Sequence, residues 1–164
     1  LMTRVLFVCL GNICRSPLAD GIFSHLVQER GLEDHYTIDS AGTSAYHAGD
    51  PADSRSIAVA RKHGIAVPSI SRQTRSSDYS EFDWIVAMDR QNLSDLQAQE
   101  PSQGTARLVL LRDYDPAVSA GDTSSQDVPD PYYGGPGGFD TVHAMVARSC
   151  ERLLDVLEES RPQA

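Results

Sequence analysis

Arg4-Val5-Leu6-Phe7-Val8-Cys9-Leu10-Gly11-Asn12-Ile13-Cys14-Arg15-Ser16-Pro17 is the stretch on which the fold turns. Residues 4–9 form a continuous β-prone apolar run, the pattern of a strand buried on both faces. The run stops at Gly11-Asn12. Ser16 and Pro17 then supply an N-cap residue and an N1 proline for a helix. Leu18, Ile22, Phe23, Leu26 and Val27 recur at helical spacing up to Gly31. The local order is strand, tight loop, helix.

The same order repeats outward from this unit. A strand is expected near Tyr36–Ser40, then a turn at Ala41-Gly42-Thr43, then a helix from about Pro51 to His63 that Gly64 ends. Trp84–Met88 reads as a third strand, Arg90–Gln99 as a helix and Arg107–Leu111 as a fourth strand. Alternating β and α imply a parallel sheet. Residues 112–138 are rich in Asp, Ser, Pro and Gly and lack periodicity, as functional or mobile segments do. A final helix is predicted over about Phe139–Glu159. Its apolar stripe includes Val142, Met145, Val146, Leu153, Leu154 and Leu157, which makes Cys150 a small core residue. The expected fold class is therefore α/β: three layers, with a four-stranded parallel sheet flanked by helices. The 164 residues are expected to form a single domain with its core at about 3–159.

Composition narrows the function. A formal charge of −9 opposes nucleic-acid binding, which depends on clustered Lys and Arg. Basic residues are Arg except for Lys62, so the Gly-Lys-Ser/Thr run of a phosphate-loop ATPase is missing. No apolar run approaches the roughly 20 residues of a membrane helix. Leu1-Met2-Thr3-Arg4 passes directly into the first strand, so no secretory signal is expected. Three cysteines, at 9, 14 and 150, argue against a disulfide scaffold and for the cytoplasm. The histidines at 25, 35, 47, 63 and 143 show no ligand-like spacing, so neither a metal nor a cofactor is expected.

The chemistry concentrates in Cys9–Ser16. A thiol sits at the carboxyl end of the first strand, the edge at which open α/β sheets bind ligands. Gly11 and Asn12 can adopt positive φ, which lets successive backbone N–H groups converge on one point suited to a tetrahedral oxyanion. The following helix adds its positive dipole end, and Arg15 offers a planar fork to two phosphate oxygens. The same field favours the thiolate of Cys9 over the thiol. A Ser16 hydroxyl bonded to that sulfur would favour the thiolate further. Asp89, just after the third strand, is expected either to orient Arg15 or to cap the next helix. Asp-Pro pairs occur at Asp50, Asp115 and Asp130, and composition alone does not choose among them as a proton donor.

Val8 to Pro17, together with Asp130-Pro131-Tyr132-Tyr133, resembles the two signatures of the low-molecular-weight protein tyrosine phosphatases, over roughly residues 3–159. The resemblance implies the flavodoxin-like, Rossmann-like phosphotyrosine phosphatase I fold. It also implies Cys9 as nucleophile, Arg15 as phosphate clamp and Asp130 as general acid and base. Leu10, Gly11, Asn12, Ile13, Cys14 and Ser16 would line the phosphate site, with Tyr46, Tyr132 and Tyr133 around its mouth. Ser40 would support Asn12, and Cys14 would form a reversible disulfide with Cys9. Animal members often carry His where this chain has Ser69, so loop support is expected to differ there. Implied partners are phosphotyrosine-containing proteins, with phosphate as product and inhibitor, and the expected state is a monomer. Ile13 stands where the related protein-arginine phosphatases tend to carry Thr, and an apolar residue favours an aryl phosphate. An arsenate reductase would share this fold and loop, but the lack of cysteine in residues 70–100 opposes it. A non-catalytic phosphotyrosine-binding module would need only the loop, and the presence of both Cys9 and Asp130 argues against one.

Overall fold

The computed structural model describes residues 2–118, 126–135 and 137–161. Four strands, β1 (Thr3–Cys9), β2 (Tyr36–Gly42), β3 (Trp84–Ala87) and β4 (Arg107–Leu110), pair in parallel in the order β2-β1-β3-β4. The helices are α1 (Arg15–Glu29), α2 (Ser54–Lys62), α3 (Asp78–Glu81), α4 (Arg90–Ala98) and α5 (Gly138–Ser160). No helix among the described residues is long and apolar enough to cross a membrane.

Strand β1 runs through the centre, and its alternation builds both apolar layers. Val5 and Phe7 face one side and pack with Leu18, Phe23, Val142 and Leu153 of α1 and α5. Leu6 and Val8 face the other and join Tyr79, Phe82, Ile85 and Leu96. Phe7, Phe23 and Tyr36 form an aromatic chain with ring centroids 5.4 and 5.8 Å apart. Each such buried side chain contributes about 1.5–3 kcal/mol against exposure, which fixes the register of β1 and hence the position of the loop that follows. The chain leaves β1 toward β2 on one side and reaches β3 on the other, and this reversal opens a crevice at the carboxyl ends of the strands.

Three boundaries differ from expectation. Helix α1 starts at Arg15 with Cys14 as N-cap, rather than with Ser16 as cap and Pro17 at N1, because the Ser16 hydroxyl is engaged with the preceding loop. Strand β2 continues through Gly42, where a turn was expected, since pairing with β1 extends to Cys9 opposite Gly42. Helix α2 starts at Ser54, capped by the Asp53 side chain through the Arg55 N–H. The short α3 has no periodic signal in the sequence; buried Asp78 anchors it to Arg72 and to the Arg75 N–H. Part of the expected 112–138 loop, residues 119–125 and 136, lies outside the described residues.

Candidate active site

The loop from Cys9 to Ser16 is held from outside by its carbonyls. Cys9 O accepts from Thr43 N, Leu10 O from Ser44 N and Ile13 O from Asp53 N. Gly11 O accepts from the Ser71 hydroxyl at 2.9 Å, and Cys14 O from the Ser56 hydroxyl at 3.3 Å. A trans peptide places its N–H opposite its C=O, so each carbonyl pinned outward turns the next residue's amide inward. The Asn12 N–H accordingly reaches Cys9 Sγ at 3.2 Å. Inward amides, the N-terminus of α1 and Arg15 together form an anion cradle around the sulfur.

Asn12 is the keystone of this loop. It has φ +56°, the one non-glycine residue with positive φ among those described. Its Nδ2 donates to Ser16 Oγ at 2.8 Å and to Ser40 Oγ at 3.0 Å, and its Oδ1 accepts from Arg72 N at 3.0 Å. Ser16 Oγ in turn lies 3.0 Å from Cys9 Sγ, the contact expected from sequence. Gly42 presses against the loop so closely that a Cβ there would lie 2.7 Å from Leu10 O. Ser69 Oγ is enclosed without a partner among the described residues, and the neighbouring Ser71 and Arg72 support the loop instead. Arg72 is positioned by Asp39 and Asp78 through its guanidinium.

Arg15 is 3% exposed and held along one edge: Nη1 donates to Asp89 Oδ2 at 2.6 Å and to Val128 O at 3.0 Å. Asp89 makes both contacts, because its Oδ1 also caps α4 through Asn92 N at 2.7 Å. Burial opposes the charge on Arg15, but Cys9, Asp89 and Asp130 outweigh it, so the guanidinium is held even more firmly protonated than usual. Burial, followed by the negative charges of Asp53, Cys9 and Asp130, pushes the Cys14 thiol up to about 12, so Cys14 is no competing thiolate. Cys9, Cys14 and Cys150 are all free and buried, and Cys150 lies in the core beneath Ala19.

A cleft of about 400 Å³ opens over the loop, with Cys9 and Arg15 at its base. Leu10, Gly11, Ile13 and Cys14 line it, as do Tyr46, Asp130, Tyr132 and Tyr133. Asp130 is half-exposed, with Oδ2 3.8 Å from Arg15 Nη2 and Oδ1 accepting from Tyr132 N at 3.0 Å. The structure separates the three Asp-Pro aspartates that composition did not. Asp115 is fully buried between Arg148 and Arg112, and Asp50 pairs with His47. Asp130 alone of the three lines the cleft.

Sequence reasoning missed His47, which packs edge-on to Tyr46 at 4.8 Å and lies 6.5 Å from the Tyr132 ring. It missed Asp53 and Arg55, which join the carbonyl of Ile13, in the Cys9–Ser16 loop, to the carbonyl of Tyr132. A capping Asp two residues before an Arg was the signal available, but it points to a helix start and not to a distant loop. Among the described residues, no group of three or more His, Cys, Asp or Glu could hold a metal ion.

A sequence model of the low molecular weight phosphotyrosine protein phosphatases matches residues 4–163. A low molecular weight protein-tyrosine-phosphatase from Streptomyces coelicolor is 44% identical over 157 residues, covering 95% of this chain and 94% of that protein. The crystal structure of a protein tyrosine phosphatase from Entamoeba histolytica is similar with a TM-score of 0.88 at 42% identity, covering 96% and 97% of the two chains. That of a Drosophila arginine phosphatase is similar with a TM-score of 0.85 at 34% identity, covering 96% and 99%. With a family match across nearly its whole length, the chain belongs to the low molecular weight phosphotyrosine protein phosphatases.

Proposed function

We infer that the chain hydrolyses phosphotyrosine in proteins, with Cys9 as nucleophile, Arg15 as clamp and Asp130 as general acid and base. The observation that carries this reading is the ring of outward-pinned carbonyls around Cys9, which turns the loop amides toward the space in front of its sulfur. In the first step the Cys9 thiolate attacks phosphorus, the P–O(aryl) bond breaks, and Asp130 gives its proton to the departing phenolic oxygen. In the second, a water oxygen attacks phosphorus while Asp130 takes its proton, and the P–S bond breaks to return the thiolate and release phosphate. Loop amides and Arg15 stabilise the equatorial oxygens in both transition states. Inorganic phosphate, the product, competes for the same donors.

Ile13 and the rings of Tyr46, Tyr132 and Tyr133 form walls for an aryl group, which favours phosphotyrosine over phosphoserine or phosphoarginine. Three free cysteines suit a cytoplasmic enzyme.

The test is hydrolysis of phosphotyrosine, phosphoserine and phosphoarginine peptides by the parent protein, Cys9→Ser and Asp130→Ala. Cys9→Ser should be inactive, and Asp130→Ala should lose about 10²–10⁴-fold on phosphotyrosine. Full activity in Cys9→Ser, or a preference for phosphoarginine or phosphoserine, would overturn this reading.

A further inference from the structure

The geometry points to Arg55 as a positioning residue that sets the place of Asp130 for proton transfer, a role that rests on Asp130 being the acid. Asp130 lies midway between two anchored peptide groups. Two residues before it, Val128 N donates to Met88 O at 2.7 Å, and Val128 O accepts from Arg15 at 3.0 Å. Two residues after it, Tyr132 O accepts from Arg55 Nη1 at 3.1 Å. The first anchor ties the acid segment to the sheet and the clamp. The second ties it to the phosphate loop, because Arg55 Nε and Nη2 grip the two oxygens of Asp53 at 3.0 Å each, and Asp53 N donates to Ile13 O at 2.7 Å.

All three guanidinium nitrogens are thus committed, and the group lies 5.2 Å from the centroid of the Tyr132 ring and 4.6 Å from that of Phe139. Arg55 is nevertheless half-exposed, and ion pairs at that exposure contribute little to folding. So complete a set of contacts on a surface side chain serves position more than stability. The position matters because Asp130 is itself half-exposed and, among the described residues, its Oδ1 is held by a neighbouring amide in the same turn alone. Releasing Tyr132 would let the carboxyl drift, and a displacement of about 1 Å at a reacting group can cost about 10²-fold. Lysine cannot replace the fork, because one ammonium cannot span both Asp53 oxygens and the Tyr132 carbonyl.

The test compares kcat/KM on two substrates that differ in their need for an acid: phenyl phosphate, whose leaving group requires a proton, and 2,4-dinitrophenyl phosphate, whose leaving group does not. Arg55→Met and Arg55→Lys should each lose about tenfold or more on phenyl phosphate and less than about twofold on the dinitrophenyl ester, with fraction folded unchanged. In an Asp130→Ala background, Arg55→Met should cause no further loss on phenyl phosphate, because its route of action is gone. Equal losses on both esters, or rescue by Arg55→Lys, would show a general structural role and overturn the proposal. If Asp130→Ala itself fails to distinguish the two esters, the acid assignment fails. If Asp130→Ala distinguishes them and Arg55→Met does not, the positioning role fails alone.

Discussion

Asp89 and Arg15 meet Oδ2 to Nη1 at 2.6 Å, while the other oxygen of the same carboxylate caps helix α4 at Asn92 N. One side chain therefore couples the start of a helix to the orientation of Arg15, the proposed phosphate clamp. Asn is as good an N-cap as Asp, but it has a single acceptor oxygen and cannot serve both partners. Asp89→Asn should keep the cap but leave the buried Arg15 guanidinium without one of its carboxylates, so it should melt several degrees below the parent and lose about tenfold in kcat/KM on a phosphotyrosine peptide through a misplaced Arg15. Asp89→Ala should lose the cap as well, at about 1 kcal/mol, or about 2–4 °C for a chain of this size. Parental kcat/KM in Asp89→Asn would rule out the orienting role.

Asn12 combines a left-handed backbone with three side-chain hydrogen bonds, and two substitutions separate these contributions. Asn12→Gly keeps the φ of +56° at no steric cost but removes the bonds to Ser16, Ser40 and Arg72, a loss of roughly 3 kcal/mol at about 1 kcal/mol each. Asn12→Ala loses the same bonds and adds roughly 1 kcal/mol for a Cβ in that conformation. Urea unfolding should rank parent above Gly above Ala. An Ala variant as stable as the Gly variant would mean the loop relaxes out of its left-handed turn.

These residues also mark how far the sequence was legible. Cys9, Asn12, Arg15 and Ser16 were readable because a phosphate cradle is local chemistry: strand end, flexible loop and helix start lie within eight consecutive residues. The sheet was readable because β1 and β3 are buried on both faces and so carry unbroken apolar runs. Asp130 was chosen over Asp50 and Asp115 by resemblance, since what separates the three is tertiary: a cleft, a surface pair with His47 and a buried cage of arginines. Ser71, Arg72 and Arg55 left no legible trace of the loops they hold. Each acts on a loop 60 or more residues away through a carbonyl or amide that every residue possesses, so no side-chain pattern announces the contact.

His143 should make the fold acid-labile. Its ring stacks on His63 at 4.1 Å, its Nε2 is enclosed without a partner among the described residues, and burial, reinforced by His63, lowers its pKa from 6.5 to about 4. A base whose folded pKa is depressed takes up its proton more readily when unfolded. Its contribution is therefore intact above pH 6.5 and is lost as pH falls from there through about 4. His143→Phe retains an aromatic stack without the titration. Its melting temperature should fall less than the parent's between pH 7 and 4.5, by about 4 °C. Parallel curves would show that His143 is accessible to protons in the folded state.

Asp20 should act with the opposite sign over nearly the same range. Burial on α1 and the nearby charge of Asp39 on β2 raise its carboxyl from 3.8 to about 6, against hydrogen bonds from Ser40 and Ser24 that favour the ionised form. An acid with a raised folded pKa holds its proton more tightly when folded. Stability from this group is therefore full below about pH 4 and is lost as pH rises through about 6. Asp20→Asn removes the buried charge and its repulsion with Asp39 while preserving shape. It should be more stable than the parent at pH 7, and this advantage should vanish by about pH 4, where Asp20 is already neutral. Because Ser40 also accepts from Asn12 Nδ2, the substitution touches a residue bonded to the phosphate loop, so activity should be recorded alongside melting temperature. A stability difference that does not change between pH 4 and 7 would show that the Asp20 carboxyl ionises as freely in the folded chain as in the unfolded one.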